Sequence, residues 1–230
     1  MHDVTEAGAG QERTQLGDMV VIGQYSPKMR QALEVIAERL HAAYDELPDI
    51  KKIGNSKGSC LFTALTVRDF LHRIGFADAA ARAGRLDVLA TQAGELQKWI
   101  TAGDPDEDWR QGSYHIVVEV PSEGIVIDPT LYQANRPQWH DWLPGMLALP
   151  LDRSDRVLSV SKPISRKVAV SQLASLSSEA DDLRFEAVWS DRPDVNWRLL
   201  IDAKDKPSKV RRGRVAIALQ QAFDQTPTVH

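Results

Sequence analysis

The chain has 230 residues, of which 43% are hydrophobic and 26% charged, and its formal net charge at pH 7 is -4. This length and apolar content predict one substantial core rather than two full domains. The acidic balance argues against nucleic acid or a membrane surface as the partner, because both attract an excess of Lys and Arg. A single cysteine excludes an internal disulfide, and no apolar run has the length of a signal peptide or a membrane span, so we expect a soluble, cytoplasmic protein.

The first third of the chain predicts a polar tail and two helices. Residues 1–18 are polar and show no hydrophobic period, which is typical of a disordered tail. Ser26 and Pro27 then mark the start of a helix with one apolar stripe. After a polar loop, the segment SCLFTALTVRDFLHRIG predicts a second helix with Ser59 as N-cap. Cys60 therefore falls in the first turn of that second helix.

The middle of the chain carries strand patterns. The alanines of residues 77–90 suit a helix, but the alternation through Ala81, Ala83 and Arg85 suits a strand, which we favour. A short helix is expected around Trp99, followed by the acidic, turn-rich loop TAGDPDEDWRQG. YHIVVEV, PSEG and IVIDPT predict a strand, a turn and a strand, because β-branched residues fill both arms and the turn carries Pro, Ser and Gly. This hairpin is the most informative segment after Cys60.

The last third predicts a second hairpin and a terminal helix. The hairpin arms are LRFEAVW and NWRLLID on either side of SDRPDV. KVRRGRVAIALQQAF predicts a helix whose arginines, Arg211, Arg212 and Arg214, form a solvated basic face. We therefore expect a disordered tail over 1–18, a core over 19–150, and a C-terminal extension of hairpin and helix over 151–230 packed on that core.

Cys60 is the first candidate functional residue. A thiolate at the first turn of a helix is stabilised by the helix dipole and by unpaired backbone N–H groups, which makes the cysteine a better nucleophile. The alternative is that Cys60 is a small apolar residue of a core helix. A nucleophile also needs a base, and His72 fails because twelve residues of helix put it ~18 Å away. The base must come from another element.

His115 opens the first strand of the predicted hairpin and is the best candidate base. If PSEG is a four-residue loop, Val120 faces Ile125 and His115 faces Thr130. Asp128 is then the diagonal cross-strand neighbour of His115, on the same face of the sheet, where its carboxylate can orient the imidazole. The opposite face of the hairpin is wholly apolar and consists of Ile116, Val118, Val120, Ile125 and Ile127.

With these residues in place, the order GSCLFTALTVRDFLHRIGF, YHIVVEV and GIVIDPT resembles the core of the transglutaminase-like superfamily of papain-type cysteine enzymes over residues 53–132. The resemblance implies an α+β fold in which the cysteine helix packs on an antiparallel β-sheet. It also implies a Cys-His-Asp triad of Cys60, His115 and Asp128. Family members commonly have an aromatic residue after the histidine, where this chain has Ile116.

The family includes cross-linking enzymes, peptidases, amidases and deamidases, so the resemblance implies acyl transfer or amide hydrolysis through a thioester acyl-enzyme. The expected substrate is a peptide, a protein or a small amide or thioester, and no cofactor is required. The backbone N–H of Cys60 is one expected donor to the oxyanion, and Asn55 or Gln24 is a second candidate. The chemistry leaves open whether water or an amine accepts the acyl group.

Two other interpretations remain open from the sequence. A metal site is a weaker hypothesis, because the six histidines show no paired spacing with Cys or His, and His140 in WHDW is instead a reserve candidate for the base. The second is a module that keeps the fold without activity and binds a peptide or protein partner. Reactivity of the Cys60 thiol separates that module from an enzyme.

Overall fold

The described part of the chain forms nine strands and four α-helices, which confirms the predicted α+β class. The computed structural model describes residues 13–47, 56–92, 95–104, 106–111, 113–134, 144–151, 157–164 and 183–226. The strands are β1 Arg13–Leu16, β2 Met19–Ile22, β3 Ala80–Gln92, β4 Glu95–Ala102, β5 His115–Val120, β6 Ile125–Asp128, β7 Met146–Pro150, β8 Val157–Ile164 and β9 Leu183–Asp191. The helices are α1 Pro27–Asp45, α2 Cys60–Arg73, α3 Ile201–Lys204 and α4 Lys206–Gln225.

The strands join in one sheet in the order β1-β2-β7-β6-β5-β3-β9-β8, and β4 pairs with β3 beside this path. The sheet is mixed, because β2 and β7 run parallel while the other pairs are antiparallel. The expectation of a purely antiparallel sheet is therefore wrong at this one pair. The long strand β3 pairs with β5 through its first residues, from Ala80 to Gly84, and with β4 and β9 through the remainder.

The β5–β6 hairpin has the predicted register. Val120 pairs with Ile125, and the ladder continues to Val118 and Ile127. The five residues of its apolar face all lie in the main hydrophobic core, with residues of α1, α2 and α4. The turn between the strands ends at Gly124, whose φ of 62° is the left-handed conformation that glycine adopts at little cost. The hairpin therefore presents its apolar face to the core, with His115 at the start of β5 and Asp128 at the end of β6.

Helix α1 begins where the sequence predicts. The Ser26 hydroxyl accepts a hydrogen bond from the backbone N–H of Met29 at 3.2 Å, and Pro27 occupies the first turn. Ser26 also donates from its hydroxyl to Glu123 Oε1 at 2.7 Å, which ties the start of α1 to the turn of the β5–β6 hairpin. The capping residue thus fixes both the helix start and its position on the sheet.

Helix α4 confirms the predicted terminal helix and packs on α1 and α2. The amide of Gln31 in α1 donates to the backbone oxygens of Phe223 and Thr226 at 2.8 and 2.9 Å. Arg212 is only 4% exposed and its Nε lies 4.0 Å from Asp69 of α2. The predicted solvated basic face is therefore wrong at Arg212, because packing on α2 turns this residue inward.

The predicted disordered tail is wrong from residue 13, and residues 1–12 lie outside the described residues. Arg13–Leu16 pairs with Met19–Ile22 through a two-residue turn made by Gly17 and Asp18. Gly17 has a φ of 52°, as such a tight turn requires. A Gly-Asp pair between two extended segments is the sequence signal for this hairpin.

Two further expectations are wrong. The segment around Trp99 is strand β4 rather than a helix, because it pairs along β3, and pairing of this kind overrides weak local propensity. The second arm of the predicted C-terminal hairpin is instead the 3-10 turn Trp197–Leu199 followed by α3. Strand β9, its intended partner, has β3 on one edge and β8 on the other, so no edge is left for that arm.

The C-terminal part of the chain adds β8 and β9 to the common sheet and α4 to the helix layer. The domain boundary near residue 150 stays a prediction. None of the helices in the described residues has both the length and the apolar character needed to cross a membrane.

Candidate active site

Cys60 is the first residue of α2, as predicted. A 3-10 turn, Ser56–Gly58, leads into the helix, and Ser56 holds it in place because its carbonyl accepts from the Thr63 hydroxyl at 2.8 Å. Ser59 is the N-cap residue, but its side chain makes no capping hydrogen bond with any described residue. The first turn of α2 therefore keeps backbone N–H groups around Cys60 that the Ser59 hydroxyl does not satisfy.

The Cys60 thiol lies at the first residue of β5. Its Sγ is 3.7 Å from the carbonyl oxygen of Tyr114, the residue before His115, and the thiol lies close enough to the His115 ring to raise the pKa of that ring. Cys60 is 4% exposed and His115 is fully buried. The predicted nucleophile and the predicted base are therefore neighbours in a buried site.

Asp128 binds the other side of the His115 ring. The His115 Nε2 and Asp128 Oδ2 atoms are 2.7 Å apart, and Asp128 Oδ1 accepts from the backbone N–H of Thr130 at 2.9 Å. Both carboxylate oxygens are engaged, so the side chain is held in one orientation. The predicted diagonal contact across the hairpin is confirmed, whereas the catalytic roles of Cys60, His115 and Asp128 stay predictions.

Electrostatics favour the charged form of His115. Burial lowers the pKa of this imidazole, but the charge and hydrogen bond of Asp128, with smaller effects from Cys60, reverse that and raise the pKa from 6.5 to about 10. A buried imidazolium between a thiol and a carboxylate is the arrangement that stabilises a thiolate. The site therefore holds a proton donor, the charged His115 ring, beside Cys60 at neutral pH.

Gln133 is a site residue that the sequence did not predict. It lies in the 3-10 turn Leu131–Ala134, five residues after Asp128, and its Oε1 is 3.1 Å from His115 Nδ1. Its Nε2 donates to the carbonyl of Gly58 at 2.7 Å. Nothing in the spacing of IDPTLYQ marks this glutamine, because its two partners come from β5 and from the turn before α2.

His41 of α1 is a second buried histidine near the site. Its Nδ1 is 2.9 Å from the Ser56 hydroxyl and its Nε2 is 3.2 Å from the Pro129 carbonyl. A carbonyl can only accept, so Nε2 carries the proton and Ser56 donates to Nδ1. Burial lowers the pKa of His41 to about 4, which keeps the ring neutral. His41 thus joins the turn before Cys60 to the residue after Asp128.

The remaining site candidates stay predictions. Gln24 is exposed in the segment between β2 and α1, whereas Cys60 is buried. Asn55 and His140 lie outside the described residues. Their roles as oxyanion donors and as reserve base stay predictions. Among the described residues, no three side chains of His, Cys, Asp or Glu are grouped so that they could hold a metal ion.

Comparisons of the chain with protein-family models, with curated proteins and with solved structures found no match. The case for a function therefore rests on the geometry around Cys60.

Proposed function

We propose that the protein is a cysteine-dependent acyl-transfer or amide-hydrolysing enzyme with a transglutaminase-like core. One observation carries the proposal: the buried His115 ring lies 2.7 Å from Asp128, and the Cys60 thiol lies beside it, with Sγ 3.7 Å from the carbonyl oxygen of the preceding residue, Tyr114. A cysteine at a helix start, a histidine beside it and a carboxylate that orients the histidine are the parts of a thiol acyl-transfer site.

The first half of the reaction uses the thiolate of Cys60 as nucleophile. It attacks the carbonyl carbon of an amide or thioester, and the new oxyanion is stabilised by the backbone N–H of Cys60 at the start of α2. Nε2 of His115 is held by Asp128, so Nδ1 delivers the proton to the leaving group as its bond to the carbonyl carbon breaks. A thioester on Cys60 remains.

The second half returns the site to its starting state. His115 Nδ1, now without its proton, takes one from water or from an amine as that molecule attacks the thioester. The carbon–sulfur bond breaks, and the Cys60 thiolate and the His115 imidazolium are restored. The substrate class is a peptide, a protein or a small amide or thioester. No cofactor takes part in these steps.

The order of the elements supports the family part of the proposal. A helix that begins at the cysteine is followed by a strand that begins at the histidine and by a neighbouring antiparallel strand that ends at the aspartate. The hairpin's apolar face packs in the same core as α2. This is the arrangement that the transglutaminase-like resemblance implies for residues 53–132.

A second candidate is a module with this fold that binds a peptide or protein partner and performs no chemistry. It is favoured by the burial of the site, because Cys60 is 4% exposed and His115 is not exposed at all. A thiol that only donates to the Tyr114 carbonyl and never ionises would also suit a structural role.

Alkylation with iodoacetamide separates the two candidates, because Cys60 is the only cysteine of the chain. We expect the folded protein to be alkylated faster at pH 6.5 than an unstructured cysteine peptide, and His115→Ala to slow the reaction by about tenfold or more. His72→Ala is the matched control. His72 lies on the same helix as Cys60, and the hydrogen bond described for its ring is to the Ala79 carbonyl.

The outcomes are distinct. A rate that falls in His115→Ala and not in His72→Ala supports the enzyme. A rate below that of the free peptide, unchanged by the loss of His115, supports the binding module and contradicts the enzyme.

A further inference from the structure

Both ring nitrogens of His115 face hydrogen-bond acceptors. Nε2 faces the Asp128 carboxylate at 2.7 Å, and Nδ1 faces Gln133 Oε1 at 3.1 Å. A neutral imidazole carries one N–H and can satisfy only one acceptor, whereas an imidazolium carries two. The hydrogen bonds of the site are therefore complete only when His115 is protonated on both nitrogens.

The orientation of the Gln133 amide is set by its other contact. The amide group at the far end lies 2.7 Å from the carbonyl of Gly58, which can only accept a hydrogen bond. If the amide were rotated by half a turn, the Gln133 oxygen would face the carbonyl oxygen of Gly58, and neither atom could donate a hydrogen bond. The nitrogen of Gln133 consequently points to Gly58, and its oxygen points to His115.

Gln133 also spans the two halves of the site. Gly58 is two residues before Cys60, in the turn that leads into α2, and His115 begins β5. One side chain therefore connects the base to the segment that positions the nucleophile. His41 makes a similar connection between Ser56 and Pro129, but through a neutral ring.

We infer that Gln133 is a positioning residue that keeps the His115 ring doubly protonated and aligned with Cys60 by accepting a hydrogen bond from Nδ1 while it holds Gly58. This role rests on the proposed acyl-transfer function, in which Nδ1 gives up its proton to the leaving group. The titratable groups that act on the ring in the described residues are Asp128 and Cys60, which both raise its pKa. Gln133 contributes a neutral acceptor beside them.

The test is a pH titration of the His115 ring nitrogens by 15N NMR, with the His115 signals assigned from their loss in His115→Gln. In the wild type we expect both nitrogens to be protonated at pH 8. Gln133→Met removes the acceptor at similar size, and we expect the acid dissociation constant of the ring to rise by about tenfold. If that variant does not fold, Gln133→Ala makes the same comparison.

Two further variants exclude a merely structural effect. Gln133→Glu keeps an oxygen near Nδ1 and loses the donor to Gly58, so the ring should stay charged at pH 8 even if stability falls. Gln221→Met places the same substitution on the exposed face of α4 and should leave the titration unchanged.

The inference is contradicted if the wild-type ring carries a single proton at pH 8, or if Gln133→Met titrates as the wild type does. This readout needs no acyl chemistry. A titration that shifts as expected in a protein whose Cys60 never accepts an acyl group would overturn the proposed function and leave the role of Gln133 intact.

Discussion

Two buried histidines, His115 of the site and the neighbouring His41 of α1, differ in the charge that the protein favours. Burial lowers the pKa of both rings. For His41 the lowering prevails and the pKa is about 4, whereas for His115 the Asp128 carboxylate reverses it and the pKa is about 10. Both rings use both nitrogens, so the number of hydrogen bonds does not explain the difference.

The partners explain it. His41 bonds to the Ser56 hydroxyl, which can donate, and to a carbonyl, so a neutral ring satisfies both contacts. His115 bonds to a carboxylate and to an amide oxygen, which both accept. His41 therefore connects Ser56 to the Pro129 backbone as a neutral ring, whereas His115 is protonated beside the Cys60 thiol.

We expect the largest effect from removing the Asp128 charge, because this charge makes the pKa of His115 differ from that of His41. In Asp128→Asn the burial of His115 is no longer offset, so its pKa should fall and the imidazolium should be lost near pH 7. We expect acyl-enzyme formation at pH 7, measured with an activated thioester, to slow by about 100-fold or more, as is typical when a general acid fails.

Asp78→Asn is the matched control for this substitution. Asp78 is an exposed carboxylate that binds Ser122 at the turn of the β5–β6 hairpin, far along the strands from His115. The Asp78→Asn variant should keep the wild-type rate of acyl-enzyme formation. An Asp128→Asn protein that reacts at the rate of Asp78→Asn would show that His115 does not depend on its carboxylate.

His41 should act on stability more than on chemistry. His41→Ala leaves the Ser56 hydroxyl and the Pro129 carbonyl without their partner in a buried place, and we expect a loss of about 2 kcal/mol in the free energy of unfolding. Urea denaturation measures it. His72→Ala, on an exposed histidine, should cost less than half as much, and equal losses in the two variants would contradict the bridging role of His41.

The two histidines should also give pH dependences of stability that have opposite signs. Because the folded pKa of His41 is lowered from 6.5 to about 4, its contribution is present above pH 6.5 and is lost as the pH falls to about 4. Because the folded pKa of His115 is raised from 6.5 to about 10, its contribution is present below pH 6.5 and is lost as the pH rises through about 10.

The midpoint of urea denaturation, measured from about pH 4 to about pH 10, shows the acid limb and the alkaline limb of the stability profile separately. His41→Gln should flatten the acid limb alone, and His115→Gln should flatten the alkaline limb alone. A variant that flattened both limbs would mean that the two rings titrate as one coupled group.

The same two histidines show which contacts of the site could be predicted from the sequence. The contact between His115 and Asp128 was predictable, because a four-residue turn and a two-residue side-chain period fix which residues face each other across a hairpin. The position of Cys60 was predictable because a helix start has local signals. Both inferences needed only residues that are neighbours in sequence or in one ladder.

The contacts of His41 and Gln133 could not be predicted in this way. His41 joins α1 to Ser56 and Pro129, and Gln133 joins Gly58 to His115, so each depends on how separate elements dock. The same limit explains β4, whose strand conformation comes from pairing with β3. By contrast, the turn of Gly17 and Asp18 that joins β1 to β2 is a local signal. The prediction of a disordered tail missed it because that prediction used only the polar composition of residues 1–18.

Whether Cys60 forms an acyl-enzyme is tested by mass spectrometry of the peptide that carries Cys60, after incubation with a panel of amide and thioester acyl donors. We expect an acyl adduct on Cys60 that hydroxylamine removes and that does not form in His115→Ala. An intact, unmodified Cys60 with every donor, in a protein that iodoacetamide still alkylates, would contradict the proposed function.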